Sequence, residues 1–506
     1  MNVHSTRSAR LLTEADPMAG LTFPPLHLPP PVLVAGRLCP LTARCECFKT
    51  RQQNGKSRKG QSFMLDIRFI RENPELVKKA AADKRIDCDI DRLIEVDKRR
   101  REIQRQLETY RAKANEDGQR VGLMRNPKSP WYRKAIEAGR SPEQIKAEAD
   151  ALQTELSQIK PAMKALEDEE KPTLEEFDRL MLTVPQPPDP EAPVGKDETE
   201  NVELRCVGQI RQFDFDFKDH VTLGEELGII DIPRGVKLAG TRNYLLKGDG
   251  ALLHQAVLRL AQDMMVERGY APVVVPVLVR EEVMYGTGYF PVGREQAYLC
   301  ERDSLSLVGT AEVPLTALHM DEILAESELP VKYCALSTCF RREAGAAGKD
   351  TTGLYRIHLF DKVEQVVICK NDKEKSKRFH DEILKNAEDV LQALELPYRV
   401  VNVCTGDLGV GQVLKYDLET WMPSRNSYGE THSASRFYEF QARRLRLRYR
   451  DGTRKVRFCH TLNNTVIASP RILISLIELY QNPDGTITIP RALRKYMGGR
   501  ERIEKQ

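Results

Sequence analysis

The sequence predicts an α+β protein in which a long antiparallel helical coiled-coil arm precedes a domain built on an antiparallel sheet flanked by helices. Three observations carry this. Two heptad-patterned runs are separated by a Gly/Pro-containing tip, later strand-like runs follow one another as hairpins, and no regular βαβ alternation appears. At 506 residues, 41% hydrophobic and 30% charged, the chain has room for two or three domains and the composition of an ordinary soluble protein.

Residues 1–63 differ from all that follows, with a proline-rich piece, FPPLHLPPPVL, leading into a basic polar piece, KTRQQNGKSRKGQS. This reads as a disordered leader or as a start site assigned too far upstream, because Met64 opens the first well-patterned sequence. A transit peptide fits the basic, acid-poor composition, but the prolines oppose the amphipathic helix such a peptide needs.

In the predicted arm, residues 64–183, the first apolar run is Leu93, Val96, Ile103, Leu107, Tyr110 and Ala114, with Arg100 as a polar break at a core position. The second is Ile145, Ala149, Leu152, Leu156, Ile159, Met163 and Leu166. The tip NPKSPWYRKAIEAGRSP should turn the chain back into a helical hairpin, and Pro161 should kink the returning helix. A long dimerisation coil would give the same pattern, opposed by the return loop and the basic tip. Residues 98–140 hold thirteen Lys and Arg against five Asp and Glu, a net charge of +8. Such a run suits a polyphosphate backbone, although exposed helices of proteins that touch no nucleic acid show it too.

Residues 184–196, containing VPQPPDPEAPVG, form a stiff linker, and residues 197–506 make the second domain. There a helix ends near Gly269 and a β-branched strand containing Pro276 follows, at an edge or chain border because proline cannot donate to a ladder. The 11 cysteines are scattered without a C-x-x-C pair, which argues for a reducing compartment, the cytoplasm, and against a zinc site. No apolar run reaches the length of a membrane span.

The most informative stretch is Phe340 to Glu364, where YCALSTCFRRE and YRIHLFDKVEQV flank the polar loop EAGAAGKDTTGL and predict a hairpin. With side chains alternating along a strand, Arg341 and Glu343 share one face, and Arg356, His358, Phe360, Lys362 and Glu364 share a face of the partner. From parity alone a solvated sheet face explains this as well as a binding site does. Downstream, TLNNTVIASPRILISLIELY predicts a strand end, then a helix with Ser469 as N-cap, Pro470 at the first position and Arg471 against the helix dipole. Gly406, Gly409 and Gly411 resemble a phosphate loop but lack its Lys and strand-helix context, so a packing turn is expected. His254, His380 and the lone cysteines carry no role in this reading.

Together, Phe340-Arg341-x-Glu343, Phe360 and Arg471 resemble motifs 2 and 3 of class II aminoacyl-tRNA synthetases, and the residues around Pro276 resemble motif 1. LVGTAEVPL with Thr310, Ala311 and Glu312, FDKVE ending at Glu364, YGETHSASRFYEFQARR and HTLNNTVIASPR are similar to bacterial-type seryl-tRNA synthetases, in order from Met64 to Gly499. The resemblance implies that serine and ATP form seryl-adenylate and that seryl passes to the 3′-terminal ribose of tRNA(Ser), with tRNA(Sec) also served. Arg341 and Arg471 are the implied catalytic residues. Arg341 would contact the α-phosphate, Glu343 the adenine amino group, and Phe360 and Arg471 would sandwich the adenine. Arg356 would help hold the phosphates, Arg342 belongs to the same stretch though parity turns it to the opposite face, and Thr431 and His432 adjoin the nucleotide, His432 as a polar neighbour and not a base. Glu430 and Ser433 would hold Mg2+ with ATP, and no zinc is expected. Thr310, Ala311, Glu312, Glu364, Asn463 and Thr465 would surround serine. The implied assembly is a homodimer without a membrane anchor, its basic arm gripping the tRNA by backbone and shape. Another class II synthetase, such as a threonyl or prolyl enzyme, and a synthetase-like protein without tRNA charging are the rivals.

Overall fold

The computed structural model describes residues 65–345 and 353–505. The leader, Met64 and the middle of the glycine-rich loop lie outside the described residues. Two short helices, Ile67–Glu72 and Pro74–Asp83, precede the arm, which consists of α1 (Ile90–Arg125), α2 at the tip (Pro130–Glu137) and α3 (Pro142–Thr183). Each long helix starts on a side-chain cap, Asp89 for α1 and a Ser141–Gln144 capping box for α3.

The heptad positions explain why α1 and α3 pack together. Leu93, Val96, Ile103 and Leu107 from α1 are buried, as are Ile145, Ala149, Leu156 and Ile159 from α3. Arg100 at the polar break meets Asp97 at 2.7 Å and lies over the Phe177 ring at 4.5 Å, so the break is a buried ionic joint. Asp97 also receives Arg71 at 3.2 Å and Arg101 at 3.0 Å. Helix α3 runs through Pro161 and through a second internal proline, Pro172.

The returning helix answers the +8 run with carboxylates, so residues 90–183 hold nineteen Lys and Arg against nineteen Asp and Glu. Arg99–Glu169, Arg111–Glu167, Lys113–Glu155, Arg120–Glu148 and Arg125–Asp150 pair across the arm. Basic excess survives at the tip, where residues 125–140 carry five cations against one carboxylate.

Among the described residues, the main sheet holds eight strands: β1 (Val202–Val207), β2 (Ala271–Pro272), β3 (Val331–Phe340), β4 (Leu359–Cys369), β5 (Tyr398–Asn402), β6 (Leu414–Met422), β7 (Ser427–Tyr438) and β8 (His460–Ser469). Their order is β1-β5-β6-β7-β8-β4-β3-β2, antiparallel throughout except for β2 against β3. Helices α4 (Asp249–Glu267), α5 (Glu312–Thr316), α6 (Lys373–Ala393), α7 (Phe440–Leu445) and α8 (Arg471–Leu479) accompany it. On β4, Val363, Val367 and Cys369 enter the core shared with Ile383, Val390 and Leu391 of α6. The alternate residues Val366 and Ile368 join a second cluster with Ala311 and Leu315 on the other face. Phe360, Lys362 and Glu364 have that second phase.

Two expectations shift here. Pro276 lies outside any strand, in an extended segment beyond edge strand β2, with Val273 donating to Cys334 O at 2.8 Å. Ser469 ends β8 instead of capping α8, and its hydroxyl meets His254 Nδ1 at 2.8 Å. The helix begins at Arg471 without a side-chain cap.

The glycine triplet is a packing turn, as its context suggests. A side chain at Gly406 would meet the Lys196 carbonyl at 2.2 Å and one at Gly411 the Phe440 ring at 2.3 Å. The turn presents the carbonyls of Gly409, Val410 and Gln412 to buried Lys84, which ties the arm's base to the domain of the main sheet.

Candidate active site

The hairpin strands are shorter than parity assumed. β3 stops at Phe340 and β4 starts at Leu359, so Arg341, Glu343, Arg356 and His358 lie beyond the ladder. Glu343 bends the chain with φ +52°. Arg341 N still donates to His358 O at 2.9 Å, and Arg356 pairs with Glu343 at 2.8 Å across the gap. The four residues are therefore gathered by a polar clasp, while Phe360, Lys362 and Glu364 are gathered by the strand phase.

Arg341, Glu343, Tyr355, Ile357, Phe360, Lys362, Glu430, Thr431, His432, Thr465 and Arg471 line one cleft that opens to solvent. The Arg341 guanidinium lies 5.2 Å from the Phe360 ring centre. Arg471 donates to the Glu430 carbonyl at 2.8 Å and the Tyr355 carbonyl at 3.1 Å, and its guanidinium lies 4.5 Å from the Tyr355 ring. Arg342 is exposed and its backbone N–H bonds Gln296 O at 2.9 Å, outside this lining.

Two β-bulges shape the cleft. On β7, Glu419 pairs with Glu430 and Leu418 with His432, which leaves Thr431 as the extra residue. Glu430 and Ser433, three apart, thereby come to one face, beside Asp417, which pairs with Ser433 in the ladder. Burial pushes Asp417 up to about 7 against the pull of Lys415. Burial opposes the charge on Glu430, yet Arg471, Lys415, Arg341 and Lys362 hold it below the usual carboxylate range. One Asp417 oxygen, Oδ1, is buried without a hydrogen-bond partner. This hard-oxygen set suits a divalent ion arriving with phosphates. No cluster of three or more His, Cys, Asp or Glu with metal-site geometry occurs among the described residues. The second bulge, at Val466 opposite Val363 and Glu364, lets Thr465 and Ala468 both reach the cleft.

His432 is buried, with Nδ1 2.8 Å from Thr431 Oγ1, and burial pushes it down to about 3, so it is a neutral wall.

Lys362 and Thr465, which line the cleft, join it to a buried polar cluster. Glu364 has no exposed surface; it accepts from Asn463 Nδ2 at 3.0 Å, Thr310 at 3.3 Å and Thr465 at 3.4 Å, and pairs with Lys362 at 2.5 Å. Glu312 accepts from Gln441 at 2.7 Å and from Asn463 at 3.1 Å. Burial, then the nearby Glu364 carboxylate, push Glu312 up to about 7. Ala311 is buried in the turn that opens α5. Thus Thr310, Glu312, Glu364, Asn463 and Thr465 form one hydrogen-bonded group.

Tyr355, Lys362 and Gln441 were not assigned from the sequence. Lys362 was legible as an in-phase cation; Tyr355 and Gln441 carry no spacing signal, since one sits in a loop and the other on a helix of six residues.

A sheet of this order, with an arginine-lined nucleotide cleft beside a polar pocket, defines the catalytic core of a class II aminoacyl-tRNA synthetase. The tRNA synthetase class II core domain (G, H, P, S and T) matches residues 298–480, and the seryl-tRNA synthetase N-terminal domain matches residues 64–188. Serine–tRNA ligase of Deinococcus radiodurans is 45% identical over 438 residues, covering 87% of this chain and 98% of that protein. That of Thermomicrobium roseum is 43% identical, covering 88% and 95%. The crystal structure of seryl-tRNA synthetase from Pyrococcus horikoshii complexed with ATP is 35% identical with TM-score 0.75, covering 88% of this chain and all of that one. The chain belongs to the seryl-tRNA synthetase family.

Proposed function

We propose that this protein activates L-serine with ATP, releasing pyrophosphate, and transfers seryl from seryl-adenylate to the 3′-terminal ribose of tRNA(Ser) and tRNA(Sec). The observation that carries this is the pairing of cleft residues Lys362 and Thr465 with Glu364 in the buried Glu312–Asn463–Glu364 cluster, on a chain 45% identical to a serine–tRNA ligase.

Adenine stacks between Phe360 and Arg471, each contact contributing about 1 kcal/mol, with Glu343 accepting from its amino group. Arg341 donates to the α-phosphate as the serine carboxylate attacks, and the pyrophosphate leaves in line. Arg356 steadies the outer phosphates. Glu430 and Ser433 would hold Mg2+ with ATP, and such an ion would supply charge neutralisation at the phosphates. Glu364, Thr310 and Thr465 accept from and donate to the serine hydroxyl, while Glu312 and Asn463 face its ammonium. Catalysis rests on positioning and charge, without a protein nucleophile.

Residues 64–183 form the tRNA-binding arm, 184–196 the linker and 197–506 the catalytic domain, and the protein works as a homodimer in the cytoplasm. Val274, 98% exposed, and Leu278, 43% exposed, beside Pro276 give an apolar edge that a second copy would cover. Free thiols at all eight described cysteines suit a reducing compartment. Among the described residues no helix is long and apolar enough to cross a membrane.

The test is serine-dependent ATP–pyrophosphate exchange across a panel of amino acids, followed by charging of total tRNA with labelled serine. Exchange driven by threonine or proline in preference to serine would overturn the assignment.

A further inference from the structure

The buried cluster beside the cleft holds two carboxylates and one ammonium, and they are not equivalently partnered. Lys362 Nζ pairs with Glu364 at 2.5 Å and donates to Thr465 at 3.2 Å, with 7% of its side chain exposed. The hydrogen-bond partners of Glu312, Gln441 and Asn463, are both neutral amides. Asn463 joins the two acids: its amide nitrogen donates to Glu312 at 3.1 Å and to Glu364 at 3.0 Å, which commits both of its N–H groups. Its carbonyl oxygen, Oδ1, is buried without a partner, an acceptor that some donor must complete.

We infer that Lys362 divides the work of the two acids: it is the built-in counter-ion of Glu364, and it leaves Glu312 as the acid that gives up a proton when a substrate ammonium docks between Glu312 and Asn463 Oδ1. This rests on the serine-activating reading of the same pocket. The balance is simple. The Glu312 carboxyl releases its proton to water, the incoming amino acid keeps its ammonium, and no covalent bond changes. With both acids charged the pocket carries one negative charge in excess of Lys362, and the ammonium cancels it.

The surroundings of Glu312 support a proton-holding empty state. The charged and titratable groups facing it are Glu364 and Lys362 on β4, Arg341 at the end of β3, and Tyr289; α7 and β8 contribute the amides of Gln441 and Asn463. Burial and Glu364 raise its proton affinity to about 7, with Gln441, Lys362 and Arg341 pulling the other way. Lys362 is then a positioning residue for Glu364 and, through it, for the serine hydroxyl.

The experiment is calorimetric titration of the full chain with L-serine in two buffers of different ionisation heat, at about pH 6, 7 and 8, beside serine KM in pyrophosphate exchange. Release approaching one proton per serine is expected at about pH 6, falling toward none at about pH 8, with serine KM about tenfold higher at the acid end. Glu312→Gln should abolish the release. Lys362→Met should extend it to about pH 8, because two acids then share a proton; Lys362→Arg keeps the charge and should retain the native count. Absence of serine-dependent exchange in the native protein would remove the serine reading itself. Exchange with a pH-independent KM and no proton release would overturn this inference alone. The native protein and Lys362→Arg decide the matter if Lys362→Met does not fold.

Discussion

Glu364 carries the sharpest consequence at the scale of one residue. It has no exposed surface and holds Lys362, so removing it takes away the carboxylate proposed to meet serine and strands a buried ammonium. Glu364→Ala is expected to raise serine KM at least about 100-fold while ATP KM stays within a few-fold, because a site built for a hydroxyl discriminates by that order or more. The folded state should also lose about 3 kcal/mol, the cost of breaking a buried pair on one side. Pyrophosphate exchange with each substrate varied in turn checks the first part, and a change confined to ATP would misplace Glu364. Tyr355 makes a second, quieter test. Its ring lies 4.5 Å from the Arg471 guanidinium and 4.1 Å from that of Arg425, so it props the arginine assigned to adenine. Tyr355→Ala should raise ATP KM about fivefold, the loss of about 1 kcal/mol of cation–π support, whereas Tyr355→Phe should behave as native. Serine KM rising in place of ATP KM would contradict that role.

At the scale of elements, the helical hairpin and the β4 phase were readable in the sequence because burial repeats with the period of the backbone. Leu93, Val96, Ile103 and Leu107 are buried as their spacing implies, and Phe360, Lys362 and Glu364 share the side their parity gives. What was not readable lay where the period breaks. Arg341 and Glu343 lie past the end of β3, and Glu430 comes beside Ser433 only because Thr431 is an extra residue in the ladder. A bulge reverses parity and leaves no mark in a single sequence. The family resemblance supplied those residues; the strand rules alone would have separated them. The arm illustrates a different limit, since its +8 segment was read without the helix that returns beside it. Its excess charge lies at the tip, and that sharpens the deletion test. Removing residues 112–150 takes the tip and spares the root, where Leu93, Val96 and Phe177 pack together. Loss of tRNA charging with pyrophosphate exchange retained is expected; equal loss of both in a folded protein would deny the arm its separate role.

For the whole molecule, the buried titratable groups oppose one another. Burial pushes three imidazoles down, His380 and His432 to about 3 and His460 to about 4, so they are neutral in the fold and take up protons on unfolding. A depressed histidine gives stability that is complete above about 6.5 and is lost as pH falls toward its folded value. Burial also pushes four carboxyls up, most of all Glu312 and Asp417, to about 7, and Asp178, to about 6, with Asp381 raised less. These hold protons in the fold that the open chain releases above about 4, so they favour the fold increasingly as pH falls from about 7. Between about pH 5 and 6 the unfolded chain therefore gains protons on three imidazoles and loses them chiefly from the three carboxyls raised furthest. The two slopes nearly cancel, and urea unfolding at about pH 5, 5.5 and 6 should give stabilities within about 1 kcal/mol of one another. Glu312→Gln removes one proton from the folded side of the balance. Its stability should then fall by up to about 1.4 kcal/mol for each pH unit toward acid, against a flat native profile. A native profile that already falls steeply over this interval would mean that Glu312 and Asp417 are charged in the fold. The proton released on serine binding would then have no source.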